Sequence, residues 1–303
     1  MLVFASSDKG GTGRTVTACN TAFRLSMRGM DVAYLDFDFG SPTAGAVFEL
    51  EALERGTNAN GLHSYLTGQS GQLTSVDVRA ATARRALRTA PPGSGRLMFY
   101  PGDRGGAEFS LHLDMIGRAA GLFRMLDSEF DVCVVDLSAG RSAAVELCLR
   151  ALADLSLRST TVRWLVFHRW TRQHVLAASG LVHGEWGILQ IARDAGHDHR
   201  EFANRLRMVR TAVPDLNNPA AADFPAQAAW LRTCDAELKT LARDQRLGQS
   251  TVVGETPLEP MLLWREQIVM DSDVRQQLAN TSIVRSFTEL AENLSNQDMW
   301  ESL

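Results

Sequence analysis

The chain has 303 residues, enough for one large domain or two small ones, and its 45% hydrophobic and 22% charged residues are typical of a globular protein. A formal net charge of −4 argues against a strongly basic protein that coats nucleic acid, and no apolar run reaches the roughly 20 residues of a membrane span. The N-terminus lacks the basic start of a signal peptide, and Cys19, Cys133, Cys148 and Cys234 lack metal-site spacing. We therefore expect a cytoplasmic protein with reduced thiols.

The predicted elements alternate between strands and helices from one end of the chain to the other. Apolar runs predict strands at 2–7, 31–37, 96–100, 130–137, 161–168, 205–212 and 250–253. Helical patterns fall at 14–28, 111–127, 142–156, 171–183, 225–247 and 273–295. The first strand, glycine-rich turn, helix and second strand form a βαβ unit, which requires a parallel sheet. We predict one α/β domain over 1–303, a doubly wound and mostly parallel sheet with helices on both faces, and a helical insertion at about 215–249.

Lysine is rare in this chain, since Lys9 and Lys239 are the only lysines among the 31 Lys and Arg residues. Such a composition indicates a lineage that avoids lysine, as a GC-rich genome would cause. A lysine that remains is therefore a candidate functional residue, and Lys9 lies beside a glycine-rich segment.

The glycine-rich segment joins the first strand to the first helix and reads Lys-Gly-Gly-Thr-Gly-Arg-Thr at 9–15. In such a loop the backbone N–H groups and the helix N-terminus bind phosphate oxygens, and glycines allow a close approach. The candidate binding residues are Gly10, Gly11, Thr12, Gly13, Arg14, Thr15 and Val16. Thr15 is placed to give its hydroxyl to Mg²⁺. A glycine-rich turn without any ligand is the alternative.

Three carboxylates follow predicted strands and favour the phosphate-site interpretation. Asp36 and Asp38 end the second strand, where alternate residues share a face, and Asp136 ends a later apolar strand. The carboxyl ends of parallel strands meet at one edge of the sheet, where open α/β sheets bind ligands. The loop and the carboxylates together predict a site for phosphate and Mg²⁺.

These residues resemble the deviant Walker A motif, switch I and switch II of the ParA/MinD family of dimerising P-loop ATPases. The matching segments are Lys9 through Asn20, Asp36-Phe-Asp38 and Asp136-Leu-Ser-Ala-Gly140. The order of elements agrees over essentially the whole chain. More narrowly, an actinobacterial family of uncharacterised variant P-loop proteins is similar at 36–43, 163–174 and 264–267.

The resemblance implies a catalytic role for three residues. Lys9 matches the signature lysine that reaches the phosphates of the second subunit in a nucleotide-sandwich dimer. Arg14 stands where the in-line Walker lysine contacts the β- and γ-phosphates, and Asp38 matches the carboxylate that orients the attacking water. Lys9, Arg14 and Asp38 are therefore the catalytic residues that an ATPase of this family would use.

The same resemblance implies the ligands of ATP and Mg²⁺. Thr15, Asp36 and Asp136 match residues that hold Mg²⁺, the two carboxylates partly through water. Gly140 matches the glycine whose N–H senses the γ-phosphate, and Pro257 lies near the last strand among the nucleotide-binding residues. The implied state is a homodimer that holds ATP·Mg²⁺ and acts on a protein partner.

Three departures from the family pattern leave hydrolysis and base specificity open. Arg14 carries a wide planar guanidinium in place of a compact point charge, so nucleotide binding can survive while hydrolysis is slow or lost. Ser138 and Ala139 replace the prolines of switch II. Arg210-Thr211 stands where an adenine-reading Asn usually follows the sixth strand, so ATP is expected by analogy.

Three functions fit this sequence. The first is a nucleotide-switched ATPase with slow hydrolysis that dimerises around ATP·Mg²⁺ and acts on a protein partner or a cellular cargo. The second is a hydrolysis-deficient nucleotide-binding scaffold or regulator, which Arg14 and the altered switch II favour. The third is a DNA-binding partition ATPase.

Two basic segments bear on the partners. The DNA hypothesis rests on the family likeness and on a run of arginines, for which a solvated helix face is the simpler explanation: Arg200, Arg205, Arg207 and Arg210. Basic and aromatic residues interleave at 163–174, as in the wall of a ligand crevice or a partner surface, with core packing as the alternative. The segment 293–303 lacks the basic character of a membrane-targeting tail, so no membrane partner is expected.

Overall fold

The computed structural model describes residues 1–106, 109–216 and 224–300. The strands are β1 (Leu2–Ser6), β2 (Val32–Phe37), β3 (Val76–Asp77), β4 (Leu97–Tyr100), β5 (Val132–Leu137), β6 (Val162–Arg169), β7 (Leu206–Val213) and β8 (Val252–Pro257). The helices are α1 (Arg14–Met27), α2 (Ala44–Val47), α3 (Leu62–Thr67), α4 (Val78–Ala81), α5 (Arg85–Arg88), α6 (Leu113–Glu129), α7 (Ala143–Ala151), α8 (Arg172–His183), α9 (Ile188–Asp194), α10 (His199–Asn204), α11 (Pro225–Asp244), α12 (Pro260–Trp264), α13 (Asp271–Arg275) and α14 (Thr281–Ser295).

The strands of the described residues form one sheet in the order β3-β4-β2-β5-β1-β6-β7-β8. The pairs along this order are parallel, apart from the short edge strand β3, which is antiparallel to β4. The strand β1 lies between β5 and β6, with β2 on one side of it and β7 and β8 on the other. The prediction of a doubly wound, mostly parallel α/β sheet is confirmed, and β1 lies at the place where such sheets bind ligands.

Two apolar layers cover the two faces of the sheet. On one face Leu2 and Phe4 of β1 pack with side chains of α6, α7 and α8. On the other face Val3 and Ala5 pack with side chains of α1 and α14. Because both faces are covered, every residue of β1 is buried, and the strand reads as a continuous apolar run rather than an alternating one.

The structure adds several short helices to the predicted elements, and three further features differ from the sequence-based expectation. The helix predicted at 273–295 divides into α13 and α14, because Gln277 adopts a left-handed φ of 58° that a right-handed helix cannot contain. The strand β3 adds a two-residue antiparallel edge that no apolar run indicated. Helix α7 ends at Ala151, before the predicted end at about 156.

Helix α11 lies between β7 and β8, in the segment predicted to be an insertion, and residues 217–223 of that segment lie outside the described residues. The four cysteines are free thiols, and three of them, Cys19, Cys133 and Cys148, are buried. No helix in the described part of the chain combines the length and the apolar character that crossing a membrane requires.

Candidate functional site

The glycine-rich loop runs from the end of β1 to the first residue of α1. Gly11 and Gly13 adopt left-handed φ angles of 71° and 73°, a region that favours glycine. Gly13 caps α1, and no side chain of the described residues accepts a hydrogen bond from the first turn there, which is the arrangement that binds phosphate. The Thr211 hydroxyl, near the end of β7, donates to the Thr12 carbonyl at 2.6 Å and anchors the loop from the opposite side.

Two adjoining cavities meet at this loop. The first has a volume of about 190 Å³ and is lined by the loop and by polar side chains such as Asp38, Ser41 and Thr43. The second has a volume of about 240 Å³ and lies beside the ends of β7 and β8. Its apolar lining comes from Val16, Pro257, Leu258, Leu262, Leu263, Ile283 and Phe287. Gly11, Thr12, Gly13, Val16 and Glu266 line both cavities. We call the first the phosphate cavity and the second the base cavity.

Arg14 turns its guanidinium inward toward β2 and β5, and only 6% of the residue is exposed. Its Nε donates to Asp136 Oδ1 at 2.5 Å, and its terminal nitrogens donate to Asp38 Oδ2 at 3.0 Å and to Ser7 Oγ at 3.2 Å. The nitrogen that reaches Asp38 also lies 3.5 Å from Thr15 Oγ1. Burial alone would lower the pKa of Arg14, but the charges of Asp136 and Asp38 outweigh burial and raise that pKa, so Arg14 stays charged.

Asp136 is fully buried, and protein donors reach both of its oxygens. Oδ1 accepts from Arg14, and Oδ2 accepts from the Tyr34 hydroxyl at 3.0 Å. Burial, followed by the charge of Asp136, raises the pKa of Tyr34 well above its ordinary value, so the phenol keeps its proton and remains a donor. Asp136 is therefore held between a cation and a phenol.

Asp36 lies opposite Asp136 in the register of β2 with β5. Its oxygens accept hydrogen bonds from the backbone N–H groups of Ala44 at 3.2 Å and Asp38 at 3.3 Å. Burial, followed by the charges of Asp136 and Asp38, raises the pKa of Asp36 well above its ordinary value. The three predicted carboxylates thus lie together, but Arg14 pairs with two of them and backbone groups bind the third.

The chain matches no protein-family model and no curated protein sequence. It is similar to a chain of the MinC–MinD cell division protein complex of Aquifex aeolicus, with 14% identity, 97% of this chain and 95% of that chain covered, and a TM-score of 0.60. A protein described as a plasmid partition protein of Borrelia burgdorferi, bound to AMPPNP, is 12% identical, with 98% of each chain covered and a TM-score of 0.60. The chain has the ParA/MinD fold.

A further structure of this fold holds a nucleotide together with a metal. The septum site-determining protein MinD of Pyrococcus horikoshii, complexed with Mg-ADP, is 14% identical to this chain, with 98% of this chain and 96% of that chain covered and a TM-score of 0.52. At such identities the similarity concerns the ParA/MinD fold, and the narrower likeness to actinobacterial variant P-loop proteins stays a prediction.

The residues predicted to hold Mg²⁺ lie together within this ParA/MinD fold, but as arranged they do not fit the ion. Thr15 and Asp136 both face the Arg14 guanidinium, and the two oxygens of Asp136 already accept hydrogen bonds. Asp36 faces backbone N–H groups instead. A positive charge is already present among these ligands, so Mg²⁺ would require Arg14 to move away.

The segment predicted to be switch II also forms hydrogen bonds with neighbouring groups. The Gly140 N–H, predicted to sense a γ-phosphate, donates to the Ser7 carbonyl at 2.7 Å. The Ser138 hydroxyl donates to the Phe37 carbonyl at 3.2 Å and accepts from the Phe39 N–H at 3.1 Å. Ser138 therefore connects the end of β5 to the segment that carries Asp38.

Lys9 and Pro257 each line one of the two adjoining cavities. Lys9 is half-buried and lines the phosphate cavity, next to Arg14. Pro257 ends β8 and lines the base cavity with Leu258. Both positions agree with the predicted roles in phosphate and nucleotide binding, and these roles stay predictions.

The arginine run considered as a DNA surface does not form one surface. Arg200 is exposed on α10, as the helix-face explanation expects, but the later arginines of the run are not on that helix. Arg207 and Arg210 lie on β7 and are each only 2% exposed, because their long side chains pack between elements. The Arg210 guanidinium carbon lies 4.0 Å from the centroid of the Trp170 ring. Arg205 pairs with Glu201 on the preceding helix. A continuous basic patch is therefore not present at these residues.

The basic and aromatic residues of the segment 163–174 lie partly in the core and partly in the ligand crevice. Trp164 and Trp170 are buried, and the Trp170 indole N–H donates to Asp235 at 2.8 Å. Arg169 lines the base cavity at the end of β6. The crevice interpretation therefore holds for Arg169, and core packing holds for the two tryptophans.

Tyr34 and Ser7 belong to the site, although no motif marks them as site residues, and Glu266 of the segment 264–267 joins them. Tyr34 lies two residues before Asp36 on β2, and because alternate strand residues share a face, this spacing could have indicated it. Ser7 is the first residue after β1. Glu266 follows α12, and no local pattern signals its place, because the tertiary fold alone brings it to the glycine-rich loop.

Proposed function

We propose that this protein binds a nucleoside polyphosphate, ATP or ADP, along the two adjoining cavities. The observation that carries the proposal is that the glycine-rich loop lines both of them, the one with Lys9 and polar side chains and the other with Pro257 and apolar side chains. The loop N–H groups would bind the phosphates, and the apolar cavity would receive the base. The AMPPNP and Mg-ADP held by two structural neighbours support an adenine nucleotide.

Nucleotide binding would switch the chain into a homodimer that acts on a protein partner. Lys9 supports this step, because it lines the phosphate cavity and is retained in a chain that has almost no lysine. The structural neighbour from Aquifex aeolicus belongs to a complex with MinC, which supports a protein partner for a chain with this fold.

Hydrolysis should be very slow or absent, which favours the hydrolysis-deficient scaffold or regulator over the ATPase with slow hydrolysis. Asp38, predicted to orient the attacking water, is bound by Arg14, and the Gly140 N–H is bound by Ser7. Phosphoryl transfer depends on the positions of such groups. Because Asp38 and the Gly140 N–H form hydrogen bonds within the protein, the rate of hydrolysis should fall more than the affinity for nucleotide. We propose a nucleotide-controlled binding protein with little turnover.

Isothermal titration of the full chain with ATP and ADP tests nucleotide binding, with Gly11→Asp and Gly11→Asn as a matched pair. Both replacements tolerate the left-handed φ of 71°, and a Cβ at Gly11 meets no atom within 4 Å. The carboxylate would repel the phosphates, so we expect the Asp variant to bind at least about ten-fold more weakly than the Asn variant. Equal affinities of the pair, or no binding to the wild-type chain, would contradict the proposal.

The same titrations, followed by light scattering, test the switch. The Lys9→Ala variant should form a smaller dimer fraction with ATP, whereas Lys239→Ala should match the wild type. Lys239 is the control because it pairs with Asp235 on α11, away from the phosphate cavity. An unchanged dimer fraction in Lys9→Ala would count against the nucleotide-sandwich arrangement.

A further inference from the structure

We infer that the Arg14 guanidinium replaces the divalent cation of this site, so that the protein binds a nucleoside diphosphate or triphosphate without Mg²⁺. This inference rests on the proposed nucleotide binding and deepens it by naming the ionic form of the ligand, a metal-free polyphosphate.

The contacts of Arg14 include two of the three residues predicted to hold a metal ion at this site. Its nitrogens reach Asp136 and Asp38 within hydrogen-bonding distance, and one of them approaches the Thr15 hydroxyl. Thr15 and Asp136 are two of the three residues predicted from the resemblance to hold Mg²⁺. A single side chain of this chain therefore supplies positive charge where the predicted ligands converge.

Neighbouring side chains hold the guanidinium in this place. Tyr34 donates to the second oxygen of Asp136, which orients the carboxylate toward Arg14. The Ser7 hydroxyl accepts from the third guanidinium nitrogen and donates to the Lys9 carbonyl at 3.0 Å. Every nitrogen of Arg14 thus has an oxygen partner, and the guanidinium is held in one position by buried side chains rather than by a chance surface contact.

A lysine at position 14 could not make the same set of contacts. Lysine ends in one nitrogen, whereas arginine presents its donors as a rigid planar fork that binds several oxygens at once. Arg24, on the same helix, is an ordinary structural arginine by contrast. It pairs with Asp271, donates to the Val269 carbonyl and lines neither of the two cavities. The distinguishing feature of Arg14 is therefore its position among the predicted metal ligands.

The ligand chemistry follows from what remains around the phosphate cavity. Lys9 and Arg14 both line it, and the glycine-rich loop adds its backbone N–H groups. Lys9 and the loop N–H groups can bind phosphate oxygens directly, while Arg14 contributes its positive charge beside them, without a metal between phosphate and carboxylate. A metal-free ADP or ATP fits this set of donors.

Isothermal titration with ADP and ATP, in Mg²⁺ and in EDTA, tests the inference on wild type, Arg14→Lys and Arg24→Lys. We expect the wild-type affinity for nucleotide to change by less than about two-fold between the two buffers. The affinity of Arg14→Lys should fall by about ten-fold or more in EDTA, because a lysine does not neutralise the carboxylates as arginine does and a metal is then needed. Arg24→Lys should behave as the wild type. Wild-type binding that disappears in EDTA, or an Arg14→Lys variant that is equally insensitive to EDTA, would overturn the inference.

Manganese bound together with ADP gives a second measurement, which does not depend on a folded Arg14→Lys variant. After gel filtration, wild-type protein with ADP and Mn²⁺ should carry nucleotide without the electron paramagnetic resonance signal of manganese. Manganese retained in equal amount with ADP would overturn the inference while leaving nucleotide binding intact. If the wild-type chain binds no nucleotide in either buffer, the proposed function itself is contradicted.

Discussion

Two buried arginines, Arg14 and Arg210, show how differently this chain stabilises a positive charge. Arg14 pairs with two carboxylates of the phosphate end, and their charges raise its pKa. Arg210 stacks on Trp170 and pairs with Glu255, of which 40% is exposed. Burial of Arg210 lowers the pKa of its guanidinium. Arg14 is thus a cation surrounded by carboxylates, whereas Arg210 is a cation stabilised mainly by packing against an aromatic ring.

The difference shows why burial of an arginine does not by itself indicate a function. Arg210 Nε has no hydrogen-bond partner among the described residues, whereas Arg14 Nε makes a 2.5 Å bond to Asp136. An aromatic face can bind a guanidinium without any matching acid. Surrounding charge, rather than depth, therefore distinguishes the arginine at the candidate site from the arginine of the core.

Removal of the Asp136 carboxylate should cause the largest loss of stability, because it breaks the buried ion pair with Arg14. In Asp136→Ala, Arg14 loses its shortest partner and the Tyr34 hydroxyl loses its acceptor. Breaking a buried pair in this way costs about 3–5 kcal/mol, so the free energy of unfolding in urea should fall by that amount. The exposed pair of Arg285 and Glu289 is the control, and Glu289→Ala should cost less than about 0.5 kcal/mol. Similar losses in the two variants would show that the Arg14 pair contributes no more than a surface pair.

The pH dependence of stability should reveal the second region, where His168 lies near Arg210. Burial lowers the pKa of His168 to about 4, and the positive charges of Arg210 and His174 act in the same direction, while the Arg169 carbonyl opposes them. Since the unfolded chain binds this proton first, stability is lost as pH falls from about 6.5 toward 4, by on the order of 3 kcal/mol. The variant His168→Asn should lose less stability between neutral and acidic pH than the wild type.

Urea unfolding at pH 7 and near pH 4.5 measures this difference. His112→Asn is the control, because His112 is exposed before α6, and it should follow the wild-type pH dependence. If His168→Asn loses as much stability on acidification as the wild type, another group carries the effect.

The smallest effect is expected from Glu255→Gln, which sharpens the contrast between the two arginines. Glu255 lies 2.9 Å from Arg210 but is exposed, and Trp170, Gln249 and the Leu247 carbonyl still hold the guanidinium without it. We expect a loss of less than about 1 kcal/mol in the free energy of unfolding. A loss as large as that of Asp136→Ala would mean that the carboxylate, and not the aromatic ring, stabilises Arg210.

Much of the site follows from local patterns in the sequence. The glycine-rich loop occupies the turn between β1 and α1, and Asp36 lies opposite Asp136 because neighbouring parallel strands bring their carboxyl ends together. The predicted strands agree with the observed ones to within a few residues, because strands covered on both faces read as unbroken apolar runs. The break at Gln277 was not predictable in this way, since no glycine or proline marks that left-handed residue.

The direction of Arg14 depends on groups that are distant along the chain. Its partner on β5 lies 122 residues away, and its partner after β2 lies 24 residues away. The sequence determines that α1 begins with an arginine and that three acidic residues lie at the ends of two strands. Only tertiary packing decides that the cation turns toward those acids, with Tyr34 holding the far side of Asp136, because a long flexible side chain takes the direction in which buried acceptors lie within reach.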